Sequence, residues 1–114
     1  MVIYVDIDDT ICSFEPSDLE IPTPERYEKA KPIWINIDKI NDLYDDGNKI
    51  VYYTARCSIH KERYDEVYGL TKRQLLTWGC KHNELVIGHK PVYDLLICDK
   101  AKRIEEIKWL ILLK

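Results

Sequence analysis

Val2-Ile3-Tyr4-Val5-Asp6-Ile7-Asp8-Asp9-Thr10 decides how this chain is read. A run of apolar and β-branched residues is the pattern of a buried strand. Here the run opens directly into three carboxylates, so the negative charge gathers where the strand should end. Asp6 and Asp8 lie two residues apart and, if the chain stays extended through both, project to the same face. Two carboxylates held close together at neutral pH need a cation or a shifted pKa to relieve them. The segment therefore predicts a hard-cation site at the end of the first strand.

The chain of 114 residues has the length of one domain with a single core. With 46% apolar and 32% charged residues its composition is that of an ordinary soluble globular protein. A net charge of -3 gives no electrostatic reason to expect a nucleic-acid surface. No apolar stretch approaches the roughly 18 residues of a membrane span. Acids crowding behind the first apolar run are foreign to a secretory leader, so a cytoplasmic protein is expected. Cys12, Cys57, Cys80 and Cys98 are scattered, with no C-x-x-C pair, and read as reduced, partly buried thiols rather than zinc ligands or disulfides.

Outward from the first strand, residues 13–31 hold Pro16, Pro22 and Pro24 among charges without a period, and read as a loop or small flap. Pro32 suits the first turn of a helix, along which Ile33, Ile37, Ile40 and Tyr44 recur at helical spacing until Gly47 stops it. Ile50–Tyr53 is a second strand running into Thr54-Ala55-Arg56, and residues 57–69 carry no clear assignment. Thr71 and Gln74 have the spacing of a capping box, with Leu70 and Leu75 as its staple, for a helix running to Trp78 and Gly79. Leu85–Ile87 and Leu95–Cys98 are further strands around a Gly88-His89-Lys90-Pro91 loop, and Ile104, Ile107 and Ile111 mark a last helix. Short strands alternating with amphipathic helices predict an α/β fold, a mainly parallel sheet with helices on both faces. In such sheets ligands sit beyond the carboxyl ends of the strands, where Asp6, Asp8, Thr54 and Asp99 all fall.

The chemistry of that set is coherent. Carboxylates are hard oxygen ligands suited to Mg²⁺, which shares its shell with substrate phosphate. A hydroxyl, a lysine and an arginine (Thr54, Lys90 and Arg56) are donors suited to phosphate oxygens. Together they describe a site that holds a metal beside a phosphate, and such charge neutralisation lowers the barrier of phosphoryl transfer.

The same residues resemble the haloacid-dehalogenase-like (HAD) superfamily of phosphatases and phosphotransferases. Its motifs are an apolar strand then Asp-x-Asp-x-Thr, an apolar strand then Thr or Ser, a Lys, and an apolar strand then acidic residues. They are matched in order by Val2–Thr10, Ile50–Thr54, Lys90 and Leu95–Asp99. The resemblance implies a three-layer Rossmann-like fold and a phosphomonoester hydrolase working through an aspartyl-phosphate. Asp6 would be the nucleophile and Asp8 the general acid and base. Mg²⁺ would be held by the Asp6 side chain, the Asp8 carbonyl and Asp99. Thr54 and Lys90 would bind the phosphoryl oxygens, Lys90 also neutralising Asp6; Arg56 is assigned to substrate or phosphate. The fourth motif departs from the pattern, because Cys98 stands where a second acid is common and Asp94 lies at the wrong end of its strand.

The insertion at 13–31 is too short for a separate cap domain, so 1–114 is read as one capless unit. Capless members act on large substrates or cover their sites by forming homo-oligomers. Within the superfamily the chain is most similar to short bacterial proteins of capsular or surface polysaccharide biosynthesis. Tyr27–Pro32, Ile40–Gly47, Tyr53–Arg56 and Tyr93–Ala101 carry that similarity, which implies a phosphorylated sugar or sugar derivative as substrate. Two rival functions remain: a polynucleotide end phosphatase, against which the acidic balance counts, and a degenerate protein that binds metal or a partner without turnover. The plainer readings are that Asp9 is a structural carboxylate, Thr10 bonds locally, His60, His82 and His89 are surface residues, and Trp34, Trp78 and Trp109 are packing residues.

Overall fold

A computed structural model describes residues 1–56, 61–88 and 95–97, the side chain of Leu96 excepted. Its centre is a four-stranded sheet of β1 (Val2–Asp6), β4 (Lys49–Thr54), β5 (Glu84–Ile87) and β6 (Leu95–Ile97), in the order β5-β4-β1-β6. Every pairing is parallel, with Ile3 opposite Ile50 and Leu95, and Tyr52 opposite Leu85. The helices α1 (Trp34–Asp45) and α2 (Tyr64–Thr77) follow β1 and β4 respectively. A two-stranded antiparallel ribbon, β2 (Cys12–Ser13) with β3 (Lys31–Pro32), closes the base of the 13–31 insertion. Within that insertion lie two short 3₁₀ turns, Pro16–Glu20 and Glu25–Lys29. The flap is therefore a structured hairpin. Pro32 lies in β3, and α1 begins after Ile33, two residues later than Pro32 at a first helical position would put it.

Strand parity puts Ile3, Val5, Ile50, Tyr52 and Ile97 on one sheet face. They share a core with Ile37, Ile40 and Leu43 of α1 and with Leu75 and Trp78 from the end of α2. Both described helices thus lie against the same face, as two right-handed crossovers stepping in one direction require. Tyr4 and Val51, on the opposite face, are buried as well. The last expected helix, with Trp109, lies outside the described residues. Leu43 completes the apolar stripe of α1 one turn after Ile40, a position that the spacing Ile37, Ile40, Tyr44 passed over.

Each helix ends as its glycine predicts. The Gly47 amide donates to the Tyr44 carbonyl and Asn48 to Leu43; Gly79 donates to Leu76 and Cys80 to Leu75. These are two Schellman closures, and the φ of +96° at Gly47 and +69° at Gly79 is what each demands. The helix starts differ from the sequence reading. α2 begins at Tyr64, so Thr71 and Gln74 sit in its middle and cap nothing. Trp34 is 56% exposed at the start of α1, whereas Trp78 is packed in the core. Cys12 and Cys80 are free, buried thiols, in keeping with the reduced reading; Cys57 and Cys98 lie outside the described residues. Burial pushes the Cys80 pKa up to about 11, so that thiol stays neutral at pH 7.

Truncating the core should cost much more than truncating the surface. Ile40→Ala, at a fully buried position, is expected to lose about 2–5 kcal/mol in urea unfolding. Leu76→Ala, where Leu76 is 81% exposed, should stay within about 0.5 kcal/mol of the parent.

Candidate active site

β1 is the strand at which the order of the sheet reverses: the chain leaves it for β4 and β5 on one side and returns to β6 on the other. Ligands of open parallel sheets bind outside the carboxyl ends of the strands at such a point. Asp6 is the last residue of β1 and Thr54 the last of β4, in adjacent strands whose register sets Asp6 opposite Tyr53. The strand ends at Asp6, and beyond it Ile7 joins the core of Ile3 and Val5 while Asp8 forms an isolated parallel bridge with Cys12. Asp6 Oδ1 accepts the Ile7 amide at 2.9 Å. The chain then turns, with the Ile7 carbonyl accepting from the amides of Thr10 (3.2 Å) and Ile11 (3.0 Å). Asp9 takes a φ of +65°, a left-handed conformation that Asp tolerates better than most residues. This fits the structural role read for Asp9. The Thr10 hydroxyl is buried without a hydrogen-bond partner among the described residues, so the turn is shaped by its backbone and not by its side chain.

The turn aims Asp8 at Arg56. Arg56 Nη2 donates to Asp8 Oδ1 at 2.7 Å, and Nε reaches Oδ2 at 3.1 Å and Oδ1 at 3.2 Å. The guanidinium side chain is 0% exposed and that of Asp8 26%. The rest of the fork is also used: Nη1 donates to Thr71 Oγ1 at 3.0 Å and to Gln74 Oε1 at 2.7 Å. The Tyr27 ring covers it, with its centroid 4.7 Å from Cζ. Burial works against the charged form of Arg56, but the hydrogen bonds and attraction of Asp8 outweigh it and raise its pKa. An arginine so engaged presents no donor to a phosphate. Arg56 holds Asp8, and the assignment to substrate or phosphate is corrected on that ground. Thr71 and Gln74, read as a capping box, are its supports. The signal that could have found them is a polar Thr71 on the stripe Val67, Leu75, Trp78, because a buried hydroxyl needs a partner.

Thr54 is buried, and its hydroxyl accepts the Arg56 amide at 3.1 Å, which leaves its proton to donate. Asp8, Asp9, Phe14, Leu19, Arg26 and Tyr27 line an open cleft of about 280 Å³. Four of these residues belong to the flap; of them the sequence reading singled out only Tyr27, within its Tyr27–Pro32 cue. Lys90, Asp94, Cys98 and Asp99 lie outside the described residues, as do His60 and His89. His82 is partly buried, edge-on to Tyr52 at 5.5 Å between ring centroids, more than the surface role read for it.

Among the described residues no three His, Cys, Asp or Glu side chains cluster as a metal site. The donors that are present are oxygens. Cys12 Sγ lies 3.5 Å from Asp8 Oδ1, and burial and then the negative charge of Asp8 hold its pKa up. In kind, carboxylate oxygens suit a hard cation rather than zinc.

No family model matches the chain, and no curated protein matches it. Among solved structures, it is similar to a crystal structure of an MCSG target from Vibrio cholerae. The two are 19% identical with a TM-score of 0.60, over 80% of this chain and 71% of that one. That likeness shows the fold: a small α/β domain with a parallel sheet, compatible with a Rossmann-like arrangement. No described helix is long and apolar enough to cross a membrane.

Breaking the central pair should be costly. Arg56→Met strands the Asp8 carboxylate and is expected to lose about 3 kcal/mol in urea unfolding, the low end for a buried pair because Asp8 keeps some solvent. Adding Asp8→Asn to Arg56→Met should recover part of that loss, since the stranded charge is then gone.

Proposed function

We propose that the chain is a Mg²⁺-dependent phosphomonoester hydrolase of the HAD-like type, a single unit without a separate cap domain. One observation carries the reading. Asp6 ends the strand at which the sheet order reverses, and Thr54 ends its parallel neighbour. The Asp-x-Asp-x-Thr motif therefore sits where an open α/β sheet binds its ligand.

In this reading the Asp6 carboxylate attacks phosphorus and the ester oxygen leaves with a proton from Asp8, giving an aspartyl-phosphate. Asp8 then takes a proton from water, whose oxygen attacks the same phosphorus, releasing phosphate and restoring Asp6. Splitting one displacement into two is what a carboxylate nucleophile contributes. The geometry of Asp8 suits proton exchange at one atom. Among the described residues Oδ1 takes contacts from Nη2, Nε and Cys12 while Oδ2 takes only Nε, so Oδ2 keeps a lone pair for substrate or water. Arg56 fixes the carboxylate so that this oxygen is presented without a search. Mg²⁺, held by the Asp6 side chain, the Asp8 carbonyl and Asp99, would neutralise charge on the phosphoryl group. Thr54 would donate its free proton to a phosphoryl oxygen, with Lys90 as the cationic partner.

The substrate we propose is a phosphorylated sugar or sugar derivative. The cleft supports it in kind: Phe14 and Tyr27 offer aromatic surface and Arg26 a polar fork beside the acids. Asp6→Asn should reduce hydrolysis of p-nitrophenyl phosphate to background while circular dichroism is unchanged. EDTA should abolish the parent's activity and Mg²⁺ restore it. Sugar phosphates should be turned over faster than a phosphorylated oligonucleotide. Undiminished turnover by Asp6→Asn would remove Asp6 from its role, and faster turnover of the oligonucleotide would move the substrate to nucleic-acid ends.

A further inference from the structure

Gln74 joins two parts of the site that the sequence gives no reason to connect. It stands on α2, partly buried, and uses both ends of its amide. Oε1 accepts from Arg56 Nη1 at 2.7 Å, and Nε2 donates to the Tyr27 carbonyl at 2.7 Å. The orientation of the amide is fixed by its partners, because a guanidinium only donates and a carbonyl only accepts. Tyr27 lies at the middle of the flap's second 3₁₀ turn, Glu25–Lys29. From that turn its ring covers the guanidinium that grips Asp8. Glu25, at the start of the same turn, pairs with Arg63 just before α2. The flap wall of the cleft and the orientation of Asp8 thus share one support.

We propose that Gln74 is a positioning residue that couples the seating of the 13–31 flap to the Asp8–Arg56 pair. The proposal rests on the phosphohydrolase reading for its kinetic consequence but not for its structural one. A flap lifted off the cleft pulls the Tyr27 carbonyl from Nε2 and the ring from Arg56. The guanidinium then loses its cover and the partner that orients its Gln74 acceptor. Substrate that seats the flap therefore also sharpens the placement of Asp8.

Three substitutions separate the two ends of the tether. Gln74→Glu keeps an acceptor for Arg56 but turns an oxygen towards the Tyr27 carbonyl, so only the flap is released. Thr71→Val removes one acceptor of Arg56 at nearly constant shape and leaves the flap bond in place. Gln74→Met loses both contacts. Hydrogen exchange of the flap amides, read on the whole chain without ligand, should quicken about tenfold in both Gln74 variants, the scale of one net hydrogen bond. It should stay at the parent rate in Thr71→Val. With p-nitrophenyl phosphate and Mg²⁺, Gln74→Glu should raise KM more than it lowers kcat. Thr71→Val should lower kcat several-fold at nearly constant KM, and Gln74→Met should do both. Parent-like flap exchange in Gln74→Glu and Gln74→Met would overturn the coupling. A parent chain that hydrolyses no phosphomonoester, yet shows the expected exchange pattern, would uphold the tether and sink the phosphohydrolase reading instead.

Discussion

The ion pair between Arg56 and Asp8 is the interaction around which the described site is organised. A guanidinium with no exposed side chain is expensive to bury, and a buried pair repays its desolvation only when geometry is good and every donor is used. Here the two carboxylate oxygens, a hydroxyl, an amide oxygen and an aromatic face share the fork. Those partners come from four places: the turn after β1, two positions of α2, and the flap. Arg56 itself follows β4 by two residues. One side chain therefore fixes the relative position of strand ends, helix and flap, and replacing it by a flexible lysine would forfeit the planar fork that reaches them together.

The location of that pair follows from topology. A parallel sheet brings all its strand ends to one edge, and the reversal at β1 leaves an opening there. Local chain chemistry then shapes the opening. The strand ends at Asp6 because the Ile7 carbonyl turns to accept from Thr10 and Ile11, and the left-handed Asp9 carries the chain round to Cys12. The Asn36 side chain of α1 reaches back to the Thr10 carbonyl at 2.8 Å and pins the turn against the helix. The carboxylate of Asp8 meets Arg56, and Arg56 in turn meets α2 through Thr71 and Gln74.

Most of the scaffold was legible in the sequence, and the misreadings have identifiable causes. Strands with unbroken β-branched runs and helices closed by Gly47 and Gly79 announce themselves, since each signal is local. Thr71 and Gln74 were misread because their spacing satisfies a local rule, while the demand that places them comes from Arg56, fifteen and eighteen residues earlier. Trp34 was read as packing because it falls within the predicted helix, but it is the first residue of α1 and more than half exposed. Arg56 looked like a phosphate ligand because an arginine after a strand-end threonine is a donor in the right place. Only its burial shows that its donors are already taken. The flap was recognised as an insertion, but its contribution to the cleft depends on how the ribbon folds it back, which no residue pattern within 13–31 declares.

Charge balance gives the reading its last step. Asp6, Asp8 and Asp9 lie within four residues at one strand end, and Arg56 is paired with Asp8. Arg26 is the cation that lines the described cleft. On the proposed reading a phosphate ester would bring further negative charge to this edge, and positive charge placed beside it would favour its approach. Lys90 and a divalent cation are the groups the proposed chemistry supplies for that purpose. Turned inward, Arg56 spends its donors on Asp8, Thr71 and Gln74, and so orders the turn after β1 against α2.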